Sequence, residues 1–157
     1  MDIKKITFNN IFQLISEAKR CCLFAEYSKQ NNDLSSSKSY MNKFKERENF
    51  VLNCGNPFFV YLFAKEVGGI DVEKFEQVII NSQSPWLCVK FASFVKNADI
   101  SKLQQAVIES GDIESCYYFL TEVNGADAKS LEQIINKDNS LCKKLANYKR
   151  IVNSERV

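Results

Sequence analysis

Histidine is absent from this chain of 157 residues, proline occurs only twice and glycine five times. Without histidine there is no imidazole base for a nucleophilic triad, no proton shuttle near neutrality and no imidazole metal ligand. So little proline and glycine argues against a loop-rich β protein and against a disordered chain. A strong excess of one charge is also lacking: 21 Lys and Arg face 19 Asp and Glu, a formal net charge of +2. A domain that holds nucleic acid by electrostatics usually carries a larger cationic surplus. Long apolar runs are missing too. The longest, around residues 57–64, falls far short of a bilayer span. The opening MDIKKITFNNIFQLISEAKR places apolar residues after two lysines, but Asn9, Asn10, Gln13, Ser16 and Glu17 interrupt them. No signal-peptide core forms, and a cytoplasmic protein without membrane contact is expected.

Cysteine is present six times, as Cys21, Cys22, Cys54, Cys88, Cys116 and Cys142, but never as Cys-x-x-Cys. A zinc site would need four scattered thiolates, and the adjacent pair Cys21–Cys22 is poorly placed for a mutual disulfide. These residues read as small buried hydrophobes in a reducing compartment. Neither metal nor cofactor is expected.

What the sequence does contain is a period. Asp71, Asp99 and Asp127 are 28 residues apart, and the same step relates Phe75, Leu103 and Leu131. It also relates Phe63, Phe91 and Phe119, as well as Val67, Val95 and Val123. Two columns carry helix-start chemistry, because their side-chain oxygens can accept from unpaired N–H groups of a first turn. One is Asp71, Asp99 and Asp127; the other is Asn56, Ser84, Asp112 and Ser140. Pro57 and Pro85 follow the latter at the first helical position, where a missing donor costs nothing. Each period therefore holds two short helices. They are expected near 44–53, 72–81, 100–109 and 128–137, alternating with 57–67, 85–95, 113–123 and 141–151.

Residues 1–40 fit the period poorly and read as a degenerate terminal copy, with helices near 6–14 and 16–30 and a flexible polar insertion at 30–39. Residues 43–150 hold four regular copies of 28 residues. The expected architecture is all-α: a single helical-repeat domain built as a short α-solenoid, HEAT- or ankyrin-like, of about five stacked antiparallel helical hairpins. One such hairpin cannot bury its apolar side alone, so the columns Val60/Cys88/Cys116 and Phe63/Phe91/Phe119 should line the interior.

The segment AVIESGDIESCYYFLTEVNGAD (residues 106–127), together with Leu131-Glu132, resembles the short bihelical tandem repeats of uncharacterised bacterial and phage-encoded proteins. There Ser-Gly-Asp, Cys-Tyr-x-Phe and Gly-Ala-Asp recur, here as Ser110-Gly111-Asp112, Cys116-Tyr117-Tyr118-Phe119 and Gly125-Ala126-Asp127. The copy at 71–98 departs with Ser-Pro-Trp-Leu, and the last copy loses the aromatic pair. The resemblance implies an interaction scaffold and no activity.

Within a repeat array, departures from the shared pattern are the pointers to function. Phe58 and Trp86 stand where the third copy has Glu114, and their neighbours Phe59 and Leu87 stand where it has Ser115. These four are the expected partner-binding ridge, since large aromatics concentrate in interface hot spots. Coverage by residues 1–40 is the alternative. Charge is uneven along the chain: residues 1–59 carry net +3, residues 60–136 net −5 and residues 137–157 net +4. The basic end, with Lys137, Lys143, Lys144, Lys149, Arg150 and Arg156, offers an alternative nucleic-acid surface at Lys143, Lys144, Lys149 and Arg150, although cations at a helix C-terminus are favourable in any case. Glu73, Glu76, Glu109 and Glu132 read as members of solvated helix faces, and no phosphate-cradling glycine loop occurs. No catalysis is expected. The reading is a protein-binding module that occludes or bridges a protein partner, a nucleoprotein complex being one candidate. Small phage or mobile-element inhibitors of host defence, including anti-CRISPR proteins, are one such class. A structural subunit of a larger assembly is a further alternative.

Overall fold

The computed structural model describes residues 7–154. Among them the chain forms nine helices and no strand. They are α1 (Phe8–Gln30), α2 (Leu34–Leu52), α3 (Pro57–Glu66), α4 (Val72–Asn81), α5 (Pro85–Phe94), α6 (Ile100–Ser110), α7 (Ile113–Glu122), α8 (Ala128–Ile135) and α9 (Asn139–Ser154). The chain divides after Ser82 into two units, α1–α4 and α5–α9. The close helix pairs are α1–α2 and α3–α4 in the first unit, and α5–α6 and α7–α8 in the second. The hairpin frame therefore opens at the Asn56 and Ser84 column.

From α3 to α8 the helices start where the caps predict. Asn56 Oδ1 accepts the N–H groups of Phe58 and Phe59, Asp99 accepts that of Lys102 and Asp127 that of Lys129. Ser84 and Asp112 stand at the right positions but make no side-chain cap bond. The last copy slips: α9 opens at Asn139, and Asp138, not Ser140, accepts the first-turn N–H groups of Ser140 and Leu141.

The N-terminal third differs from the expectation. One helix of 23 residues, α1, replaces the expected pair at 6–14 and 16–30. The reason is periodicity: Leu14, Ile15, Ala18 and Ala25 are all buried at helical spacing, so one apolar stripe runs through the supposed break. Residue 6 itself lies outside the described residues. Nor is 30–39 a flexible insertion. The link is only Asn31–Asp33, and Asp33 caps α2 by accepting from Ser36 N–H at 3.0 Å. Ser37 Oγ donates to the carbonyl of Ala25 at 2.9 Å, which ties the serine-rich first turn of α2 back to α1. Asparagine and serine carry a loop signal in isolation, but Phe44 and Val51, fully buried in α2, override it.

The period is written into the backbone as well. Val67, Val95 and Val123 are buried and extended, with φ of −111°, −96° and −100°, and their N–H groups close α3, α5 and α7 on the carbonyls of Phe63, Phe91 and Phe119. A β-branched residue suits that extended, packed exit. Two residues later the chain turns left-handed at Gly69, Asn97 and Gly125 (φ 74°, 64° and 86°). The companion turn is left-handed at Gly55, Gln83 and Gly111 (φ 71°, 54° and 69°). Both non-glycine substitutions in these columns fall in the same copy.

The cores follow the columns. In the first unit Phe63 and Phe75 are fully buried and stack at 5.7 Å with their planes 11° apart. In the second, Phe91, Leu103, Val107, Cys116, Phe119, Leu131 and Ile135 have no exposed surface.

A further column departs from the sequence expectation at Glu76. Glu48, Glu76, Gln104 and Glu132 share the 28-residue spacing. Glu76 was expected on a solvated face but is 3% exposed, and Glu48 and Gln104 are equally deep. Glu48 Oε1 accepts the N–H of Asp71 at 2.7 Å, and its other oxygen receives Lys45 Nζ at 2.6 Å. Gln104 does the same two registers on: Oε1 accepts the N–H of Asp127 at 2.8 Å, and Nε2 donates to the carbonyl of Asp127 at 3.2 Å. Each reaches 23 residues ahead, to the cap of the next first helix. A buried carboxylate or amide is tolerated there because it satisfies a backbone group. Glu132, half-buried, closes instead on Lys149 at 2.6 Å.

Candidate interaction surface

The four expected ridge residues separate by column. Phe59 and Leu87 are both 5% exposed and belong to the core; they are not surface residues. Ser115, in the same column, is also buried, and its hydroxyl is satisfied by Asp112 at 2.5 Å. The polar residue that made this column look solvated carries its own partner. Phe58 is half-buried: Phe8 of α1 covers it with ring centroids 6.0 Å apart and also packs edge-on to Phe59 at 5.2 Å. That is the covering by the N-terminal segment foreseen as the alternative. Trp86 alone of the four stays open, at 47% exposure.

Trp86 belongs to a stripe that the sequence pattern did not single out. On α5, Trp86, Lys90 and Phe94 follow one another at four-residue spacing along one face. Lys90 Nζ lies 6.0 Å from the centre of the Trp86 ring and 5.8 Å from that of Phe94. It reaches across to α7, where Glu122 Oε2 holds it at 2.9 Å. Tyr118, one turn before Glu122, is 40% exposed and packs edge-on against Tyr117 at 5.6 Å. Between the two helices a shallow cleft of about 300 Å³ is walled by Trp86, Val89 and Lys90 on one side and Ser115, Tyr118 and Glu122 on the other. The available signal was the period itself: these positions change from Trp86, Lys90 and Phe94 in one copy to Glu114, Tyr118 and Glu122 in the next.

The alternative basic set lies on α9. Lys143, Lys144, Lys149 and Arg150 are exposed, and Lys149 is engaged by Glu132. Arg156 lies outside the described residues. A larger groove of about 750 Å³ in the first unit, between α1, α2 and the turn at Gly68–Gly69, mixes Lys19, Glu26 and Lys29 with Leu23, Met41 and Val67. Among the described residues no cysteine forms a disulfide, and Cys88 and Cys116 are buried. Burial, reinforced by the neighbouring Asp112 carboxylate, pushes the Cys116 thiol up to about 11, and burial likewise raises Cys22 and Cys54. Such thiols are poor nucleophiles. Among the described residues no three Cys, Asp or Glu side chains converge as a metal site, and no helix is long and apolar enough to cross a membrane.

Comparison with protein-family models, with curated proteins and with solved structures gives no match.

Proposed function

We propose that this protein is a non-catalytic, protein-binding helical-repeat module, a short α-solenoid that works by occluding or bridging its partner. The observation that carries this reading is the half-exposed aromatic set Trp86, Phe94 and Tyr118 around the Lys90–Glu122 pair, on helices whose opposite faces are buried. Tryptophan and tyrosine supply large contact area at small conformational cost, and such clusters mark interface hot spots. The acidic central stretch, net −5 over residues 60–136, supports a basic partner surface, which it would steer electrostatically. With the resemblance to phage-encoded repeats, this leads to a specific form of the reading: an inhibitor of a host defence complex, anti-CRISPR-like, whose acidic face blocks a basic nucleic-acid channel.

The test is comparative capture. Wild-type bait should retain one host protein from lysate, identified by mass spectrometry, and a Trp86→Ala/Tyr118→Ala bait of unchanged helicity should lose it. Equal retention by both baits overturns the reading. The exposure of Lys143, Lys144 and Arg150 on α9 supports a second reading, direct nucleic-acid binding. Retention on heparin at moderate salt, abolished by charge reversal at Lys143, Lys144 and Lys149, together with no protein captured, would favour it.

A further inference from the structure

The outward face of α1 is not built for water. Where α4 and α6 turn to solvent they show Glu73, Lys74 and Gln77, and Lys102, Gln105 and Glu109. Along its exposed stripe α1 carries instead Phe12, Leu23, Phe24 and Tyr27, interspersed with Asn9, Gln13, Ser16 and a single charge, Arg20. Bonds that lead away from the stripe fix its edges. On one side Lys19 is held by Glu66 of α3 at 2.9 Å, and on the other Glu17 accepts Arg47 of α2 at 3.3 Å. Arg20 itself pairs with no carboxylate among the described residues.

The stripe is large enough to join two chains. Phe12 is 57% exposed, Leu23 65%, Phe24 50% and Tyr27 66%. Together they leave about 400–500 Å² of apolar surface open, a full side chain of this class offering about 150–250 Å². That equals the largest patch on an ordinary monomer. With the four polar residues between them, α1 presents roughly the 800 Å² per partner of a standard interface.

The stripe also complements itself. A twofold axis crossing α1 at the level of residue 18 lays a second α1 antiparallel on the first, so that residues equally far before and after that level share a layer. Phe12 then shares a layer with Phe24 of the second copy, Gln13 with Leu23, Asn9 with Tyr27 and Ser16 with Arg20. Ring meets ring, an amide meets the phenol hydroxyl, and the small Ser16 leaves room for the long Arg20, whose guanidinium its hydroxyl can accept. The two arginines fall in separate layers, and no carboxylate is buried. A parallel pair would set Arg20 against Arg20. A charged foreign surface, by contrast, finds almost nothing on this stripe to steer it.

We propose that the outward face of α1 is the contact of a twofold homodimer, two α1 helices packing antiparallel about the level of residue 18. The dimer does not rest on the protein-binding reading, but it adds to it: two joined copies display every surface twice, which is what bridging requires.

Sedimentation equilibrium of the full-length protein, from about 1 to about 100 μM, should show a species of twice the 18.0 kDa of one chain. Phe12→Glu/Tyr27→Glu changes two exposed residues and leaves the core alone, so its circular dichroism should match wild type. Its dimer dissociation constant should rise at least about a hundredfold, because association buries carboxylates among apolar side chains. Ser16→Arg, which opposes Arg20 of the second copy, should associate about tenfold more weakly than Ser16→Glu, which attracts it. Trp86→Ala/Tyr118→Ala should dimerise as wild type does. A single 18.0 kDa species at every concentration, or a dimer that survives Phe12→Glu/Tyr27→Glu, overturns the proposal. So does equal association of the two Ser16 variants, or a dimer lost in Trp86→Ala/Tyr118→Ala. Capture of the host protein by Phe12→Glu/Tyr27→Glu bait reports on the protein-binding reading separately, so either can fail without the other.

Discussion

At the scale of single residues, the copy at 71–98 departs from the repeat twice where the backbone is left-handed. Gln83 and Asn97 occupy φ 54° and 64° in columns that otherwise hold glycine. A side chain with a Cβ is strained there, less so for asparagine, which tolerates this region. Gln83→Gly should stabilise the protein by about 0.5–1 kcal/mol and Asn97→Gly by less, the gain being limited by the greater freedom of glycine in the unfolded chain. Gly111→Ala should cost about 1 kcal/mol. An added Cβ at Gly111 meets nothing within 4 Å, so that cost is conformational and not a clash. Urea denaturation of the three variants measures all of these changes.

The buried Glu48 supports a second residue-scale prediction. Glu48→Ala strands the N–H of Asp71 and removes the partner of Lys45, which should cost about 1–3 kcal/mol in the same assay. Glu48→Gln should fold with a much smaller loss, because Gln104 already performs the same task with an amide. If alanine and glutamine behave alike, the backbone bond is unimportant. Sequence reasoning missed this column because a glutamate on an amphipathic helix reads as solvated unless its distant backbone partner is known. That partner lies 23 residues away.

At the scale of helices, caps and period located α3 to α8 to within a residue or two. The first forty residues were harder because their polar segment has a loop composition, and only the packing of α2 on α1 makes it helical. Core columns were legible for the same reason as the helices: Phe91 and Phe119 are fully buried. Truncating either to alanine should cost about 3–5 kcal/mol, a large share of the stability of a domain this size, and thermal melts would register it as a loss of cooperative unfolding. The caps carry a pH dependence. Asp33 is held below the ordinary aspartate value of 3.8 by bonds from Ser36, Asp99 by the N–H of Lys102 and Asp127 by the Ser130 hydroxyl. Each binds a proton less readily when folded than when unfolded. Their contribution is therefore present at neutral pH and is lost as pH falls through 3.8 and below. Asp99→Asn can still accept at the cap without titrating, so its melting temperature should fall less than that of wild type between about pH 6 and about pH 3.

For the whole molecule, the sequence was informative about architecture and sparing about function. The repeat announced helices and core, yet of the four ridge residues it nominated only Trp86 remained open. Exposure depends on what the neighbouring elements cover, and Phe8 reaching over Phe58 is a contact between segments fifty residues apart. The stripe on α5 and α7 emerges only when outward columns are compared once the inward ones have been recognised.

The reach of Gln104 to Asp127 has one more implication. Its partner and the residue that opens the preceding helix, Asp99, are the same amino acid, and the segment from Asp99 to Ala126 spans one full period of 28 residues. A tandem duplication of that cassette would present each copy of Gln104 with an aspartate to grasp. The lengthened chain should express with about one sixth more residues, higher helicity per molecule and a raised midpoint of unfolding. An insoluble or less stable product would mean that the joint does not propagate.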